Sequence, residues 1–284
     1  MNNAPYLLQT DVYFKKIVRI SAKEKFWKFI CFAAVIGVIV AAVLGKDALA
    51  NYDSARSSFF TITSACIWIG IFNSIQSICK EHEIIRSEYR AGMNLASYVM
   101  AHVRWQFLLT IMESIVVFVV LLAFGVLVPD RPGFEVGTGT IVGYFVTILL
   151  LTFASSLMGL MISAIAGTPT TAMTIMPFVL IVQLVMSGVL FRLEGFSEII
   201  AFITFSKWGM SAFGGLADLN DKLRYPPYME LKPSQPPGSI RTEIEHEFDA
   251  GFLNIFSAWS IIILIAAVCV LIAILSLKLK NRDS

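Results

Sequence analysis

Side chains that could do chemistry are few in this 284-residue chain, and their spacing argues against catalysis. The three histidines, His82, His102 and His246, are scattered, and none pairs locally with Cys, Asp or Glu at a metal-ligand spacing. The four cysteines, Cys31, Cys66, Cys79 and Cys269, fall inside or at the ends of apolar runs and read as small buried hydrophobes. No G-x-x-x-x-G-K-[ST] phosphate loop occurs, GTGT at 137–140 lacks the lysine, and no serine sits in a G-x-S-x-G elbow. Catalytic and metal-binding residues are therefore not expected. Two features remain. One is a dense mixed-charge stretch, KEHEIIRSEYRAGMN at 80–94, and the other is a single acid, Glu113, deep within an apolar run. Such an acid faces a partner helix, a dimer seam or a watery cavity, and with no second buried ionisable group a hydrogen-bonding role is preferred to a proton relay.

Membrane helices have to position both features. Apolar residues make up 57% of the chain and charged residues 15%, with a mean hydropathy of +0.74, well outside the range of soluble domains. A transmembrane helix needs about 20 mostly apolar residues. Six runs qualify, near 26–44, 59–79, 99–128, 138–166, 171–191 and 254–277. The chain is thus expected to be an all-α integral membrane protein. Charged residues precede the first run, which argues against a cleaved signal peptide. Lys and Arg gather in three places: 15–28, the connection at 80–104, and the tail at 278–282. The short loops on the other side hold only Lys46, Arg56 and Arg131. This asymmetry assigns both termini and the 80–94 stretch to the cytoplasm, in a multi-pass protein of the cell membrane.

Two segments outside the spans have their own patterns. TDVYFKKIVRISAKEK at 10–25 puts Val12, Tyr13, Ile17 and Ile20 on one helical face and Lys15, Lys16, Arg19 and Lys23 on the other, as a helix lying on the membrane surface would. The cytoplasmic tail with this helix is read as 1–25 and the six-span body as 26–284. From 192 to 253 the chain is semipolar, and its apolar run EIIAFITF is too short to span, which predicts a re-entrant or interfacial hairpin. Gly139 and Gly143 are expected to form a small-residue contact face.

After the second run the chain reads Glu81, Ile85, Glu88, Tyr89, Gly92, then Ser97 and Tyr98. In that register it resembles the membrane domains of type-two ABC exporters of the G subfamily, whose pattern is E-x-x-x-(F/I)-x-x-E-(Y/R)-x-x-G followed by (S/A)-Y. MPFVLIVQLVMSGVLF at 176–191 and FSKWGMSAFGGL at 205–216 are similar to the family's fifth helix and re-entrant segment. The resemblance implies six spans, a connecting helix at 10–25, a cytoplasmic coupling helix at 81–94 and an extracytoplasmic re-entrant hairpin. Glu81, Ile85, Arg86, Glu88, Tyr89 and Gly92 would then dock on an ATP-binding subunit. ATP and Mg would be bound by that partner, and no cofactor is expected on this chain. The implied substrate path takes Ile62, Ala65, Cys66, Ile69 and Asn73 from the second span and Pro177, Ile181 and Leu184 from the fifth, with Val189 and Leu190 as the outer gate.

Those path residues are nearly all apolar, which favours an amphipathic or lipid-like cargo. One six-span bundle forms half of an axial path, so a second permease chain, identical or not, is implied within the membrane lipid; no nucleic acid is expected. The alternatives are an ion-coupled secondary transporter, which would want paired buried ionisable groups where only Glu113 qualifies, and a non-transporting membrane scaffold, which leaves 80–94 unexplained.

Overall fold

A computed structural model describes residues 6–46, 48–49, 52–128, 137–191, 195–220, 248 and 251–282. Much of the 192–253 loop lies outside them. Among the described residues the regular elements are α1 (Tyr6–Lys23), α2 (Trp27–Leu44), α3 (Tyr52–Ser74), a 3₁₀ turn (Cys79–Glu81), α4 (His82–Arg90), α5 (Leu95–Ala123), α6 (Thr138–Ile165), α7 (Pro169–Val185), α8 (Phe196–Phe202), α9 (Phe205–Ala217) and α10 (Phe252–Arg282). Among the described residues five helical stretches are long and apolar enough to cross a membrane, those of α2, α3, α5, α6 and α10. The run expected at 171–191 forms only the 17-residue α7, because the backbone leaves the helix at Met186 and turns through Ser187 and Gly188. α8 and α9 meet at a bend of 79° and together count as a sixth candidate. The chain is an all-α integral membrane protein. Its bundle has an α4 end, carrying α1 and the last turns of α6 and α10, and an opposite far end.

The core forms where α3 lies on α6. A Cβ added to Gly70 would stand 2.3 Å from the carbonyl oxygen of Thr152, and one added to Gly159 would stand 2.1 Å from Ser74 Oγ and 2.8 Å from the carbonyl of Ile71. The two backbones therefore touch, as helices in lipid do where small residues replace side-chain bulk. Gly143 makes a similar approach to Leu216 of α9, whereas Gly139 meets nothing within 4 Å, so the expected small-residue face contains only Gly143. Phe59 of α3 stacks on Phe213 of α9 at 5.3 Å, and Tyr144 of α6 lies 5.9 Å from Phe59, which closes the far end of the core.

Irregular backbone inside a membrane survives only where its polar groups find partners. At the break before α9 the side-chain carbonyl of Gln183 accepts from the backbone N–H of Phe205 at 3.0 Å and of Ser206 at 3.3 Å, and the Ser206 hydroxyl donates to the Gln183 carbonyl. Trp208 Nε1 donates to the carbonyl of Phe202 at 2.9 Å and holds the bend from the other side. At the α4 end Lys280 reaches across to the last carbonyls of α6, at 3.0 Å from Ala164, 2.5 Å from Ile165 and 3.1 Å from Ala166. A cation there satisfies orphan acceptors and complements the helix dipole.

The close approach makes a direct prediction. Gly70→Val and Gly159→Val each force backbone against backbone and should destabilise the chain by about 1–3 kcal/mol. Gly139→Val, in open space, should melt within a degree or two of wild type in a thermal-unfolding assay in detergent.

Candidate functional site

The charged stretch folds as the amphipathic turn and helix its pattern predicts, and the structure divides its residues between two faces. Ile85 is 1% exposed and, with Met93, pins the segment to the bundle. α4 then stops because Gly92 adopts φ +98°, a left-handed geometry that other residues rarely take, with Gly92 N–H donating to Tyr89 O and Met93 N–H to Glu88 O, each at 3.0 Å. Asn94 caps α5 by accepting from the Ala96 N–H at 2.9 Å. The angle between α4 and α5 is thereby set by backbone bonds.

Glu81 and Glu88 turn inward. The Tyr98 hydroxyl of α5 donates to Glu81 Oε2 at 2.7 Å, and Lys16 of α1 pairs with Glu88 Oε1 at 2.9 Å. Tyr13 packs edge-on against Tyr98 at 5.7 Å, and Tyr98 against His102 at 4.8 Å, so α1, the turn, α4 and α5 share one seam. Burial, followed by the charge of Glu88, pushes the Tyr13 phenol up to about 12, and it stays neutral at physiological pH. The outward face carries Glu83, Ile84, Arg86 and Ser87, all exposed, with Tyr89 half-buried at its edge. Of the six expected docking residues, the structure leaves Arg86 and Gly92 fully on the surface and puts Ile85 beneath it. Ile84, 48% exposed, is the apolar residue that a partner could reach.

The residues expected to line a path divide the same way. On α7, Pro177 and Ile181 are exposed and Leu184 is half-buried. On α3, Ile62, Ala65, Cys66, Ile69 and Asn73 are all buried within the single chain. The Gly70 contact turns this face toward α6, and of the five residues Asn73 borders an open cavity. The accessible stripe of α3 runs through Ser57, Thr61, Ser64, Trp68 and Phe72. Val189 is half-buried and Leu190 exposed, just past Gly188, whose carbonyl accepts from Arg56 Nη2 of α3 at 2.7 Å. In the sequence Arg56 stands only as a loop charge, and Gln183 lies inside an apolar run with no assigned role. An intramembrane amide in an otherwise apolar run was the available signal for Gln183.

Glu113 is fully buried, and Asn73 Nδ2 donates to its Oε1 at 2.5 Å, joining α5 to α3. Glu113 Oε2 and Asn73 Oδ1 have no partner among the described residues, nor do Gln106 Oε1 and the two ring nitrogens of His102. Beside them a cavity of about 460 Å³ opens toward the α4 end, with Phe72, Asn73, His102, Trp105 and Gln106 in its walls and Met173 of α7 at its edge. It joins aromatic surface to polar side chains.

The model of the family described as ABC-2 type transporter matches residues 8–216 of the 284, from α1 through nearly the whole of α9. The chain belongs to the ABC-2 type transporter family. It is a multi-pass membrane permease subunit of an ABC transporter. Over 161 residues it is 26% identical to an ABC transporter ATP-binding/permease protein of Mycobacterium tuberculosis, a match covering 54% of this chain and 18% of that protein. The chain thus spans less than a fifth of its relative's length.

The Asn73–Glu113 pair predicts how the permease responds to substitution. Glu113→Leu leaves the Asn73 amide without its acceptor inside the membrane and should cost about 1–3 kcal/mol, while Glu113→Gln keeps an acceptor oxygen and should lose less. Adding Asn73→Leu to Glu113→Leu should recover part of the loss, read as a double-mutant cycle of melting temperatures in detergent.

Proposed function

We propose that this permease is driven by an ATP-binding subunit docked on α4, and that it exports an amphipathic or lipid-like cargo along an axis shared with a second permease chain. The observation that carries the reading is the division of α4: Glu83, Ile84 and Arg86 face outward, while Glu81 and Glu88 are tied to α5 and α1. A helix built this way binds with one face and transmits displacement with the other. Because Tyr98 belongs to α5, a push on the turn before α4 acts on a membrane helix within one hydrogen bond. ATP and Mg belong to the partner, and this chain supplies no catalytic residue.

A second chain supplies what the first lacks. α7 buries only Ala172, Met176, Leu180 and Gln183, and its outward face presents Pro177, Phe178, Ile181 and Val182 next to the accessible stripe of α3. Two such surfaces related by a twofold axis would enclose a path lined by Ser64, Trp68 and Phe72 with Ile181 and Leu184. Val189 and Leu190 close its far end, where Arg56 steadies Gly188. The cavity beside Phe72 and Gln106 opens onto the same region, and its mixture of aromatic and amide surface with the charged Glu24, Lys80 and Glu81 suits a molecule with one polar and one apolar part. Both termini and α4 lie on the cytoplasmic side under the Lys and Arg asymmetry.

Purification of the tagged chain in mild detergent should bring down an ATP-binding protein in stoichiometric amount. Ile84→Asp with Arg86→Glu should weaken that capture roughly tenfold while leaving the melting temperature unchanged, since both side chains are exposed. Glu88→Ala should leave capture intact and uncouple ATP hydrolysis from transport in proteoliposomes, with Lys16→Glu paired with Glu88→Lys restoring coupling. Recovery of a lone chain, or equal capture by the Ile84 and Arg86 double variant, would overturn the docking assignment.

A further inference from the structure

On another side of α5 a second concavity runs along the membrane-facing surface of the bundle. Met100 and Val103 leave α5 about 100–160° around the helix from His102, at about 100° per residue, so this groove is separate from the cavity beside Glu113. Between α5, α6 and α10 it encloses about 460 Å³, with Phe153, Leu157, Ile262, Val270 and Ile274 among its walls, and its lining is almost wholly apolar. From Ile262 to Ile274 it follows α10 for about 18 Å at 1.5 Å per residue. One leaflet of a bilayer contributes roughly 15 Å of hydrocarbon, half of a core of about 30 Å, so the groove matches one acyl chain in depth.

At Ile274 the groove meets a second pocket of about 370 Å³ at the α4 end. Its walls are Gln9 of α1, Tyr89 of α4, Gly92 to Ala96, and Ile274 and Lys278 of α10, with no carboxylate among them. Lys278 lies one turn past Ile274 on α10 and is exposed. The pocket also holds the first turn of α5, and the positive end of that helix dipole has the same sign as Lys278. Two connected spaces therefore stand at the membrane boundary: an apolar slot of leaflet depth, and a polar mouth whose only ionised side chain is a cation. Water does not fill the slot, which offers it no polar partners.

We infer that the groove and the pocket form one site for an anionic phospholipid of the leaflet at the α4 end, with an acyl chain between α5, α6 and α10 and the phosphate at Lys278, Tyr89 and Asn94. The neighbouring hydrogen bonds give the site its consequence. The headgroup rests on the Gly92–Asn94 turn that joins α4 to α5, and the acyl chain wedges α10 against α5. The lipid thus braces the joint between α4 and the bundle. The site depends on the chain being embedded in a bilayer and not on the ATP-driven reading, so a chain that bound no ATPase would still hold the lipid.

The test uses the purified full chain exchanged into detergent with either phosphatidylglycerol or phosphatidylcholine, read by native mass spectrometry for retained lipid and by melting temperature. Wild type should retain phosphatidylglycerol in preference to phosphatidylcholine and melt higher with it. Lys278→Gln should reduce retention about fivefold, the effect of one cation near an anionic surface. Ala267→Phe, which fills the groove from an exposed position on α10, should lower retention similarly, while Leu264→Phe, equally exposed but outside the groove, should not. All three should melt like wild type in phosphatidylcholine. Equal retention of the two lipids by wild type, undiminished retention in both Lys278→Gln and Ala267→Phe, or an equal gain in melting temperature from inorganic phosphate alone would overturn the site.

Discussion

The backbone contact between α3 and α6 at Gly70 and Gly159 is the constraint on which the other arrangements depend. Helices in lipid gain nothing from burying leucine against leucine, because acyl chains are equally apolar, so close packing of small residues decides their rotation. With Gly70 turned to α6, Ile62, Cys66 and Ile69 must be core, and Ser57, Thr61, Ser64 and Trp68 must face away. Asn73 is carried round to reach Glu113 by the same rotation. Where α3 ends, the 3₁₀ turn and α4 begin, so the contact also aims the helix that would meet the ATP-binding partner.

That aim is preserved by short-range chemistry at the α4 end. The backbone amides of Ile78 and Cys79 both donate to Ser163 Oγ of α6 at 3.0 Å, which fixes the exit of the chain from α3. Glu81 then binds Tyr98, and Glu88 binds Lys16. The Lys16–Glu88 pair is about a third exposed on each side, so its contribution to stability is small. Its value lies in registration: α1 packs along α5, and the pair ties it to α4 as well. Arg104 of α5 and Asp11 of α1, at 2.5 Å, add a second ion pair that ties α1 to the bundle.

Element by element, the sequence was most legible where polarity contrasts. The 80–94 stretch and the 10–25 segment alternate charged and apolar residues at helical spacing, and both form the helices their periodicity predicts. Five of the six expected spans were legible from length alone, whereas the run at 171–191 forms only the 17-residue α7, and the ends of α6 fall where the apolar run ends. The rotation of α3 was not legible. Phe59, Ile62, Ile67, Ile69 and Trp68 surround that helix on all sides, so lipid-facing and core-facing positions carry no contrast in hydrophobicity. The inward role of Glu81 and Glu88 was hidden for another reason: their partners lie 17 and 72 residues away. Gln183 was hidden within an apolar run because its need arises only from the break before α9.

The two ends of α7 are held by unequal means. Its far end is anchored by the bonds of Gln183 to Phe205 and Ser206, and the turn that follows it by the bond of Arg56 to Gly188. Its α4 end is closed by a local cap, the Thr171 N–H on Thr168 Oγ1 at 3.2 Å, beside a tight connection to α6. Between them Pro177 removes one backbone donor and weakens the helix near its middle. A displacement arriving from α4 therefore meets a helix stiffly fastened at the far end and compliant at the near one. Under the ATP-driven reading this asymmetry favours opening at the cytoplasmic side first, with Val189 and Leu190 remaining closed until the Arg56 contact releases. An export path needs that order, since a cargo has to be enclosed before the opposite exit opens.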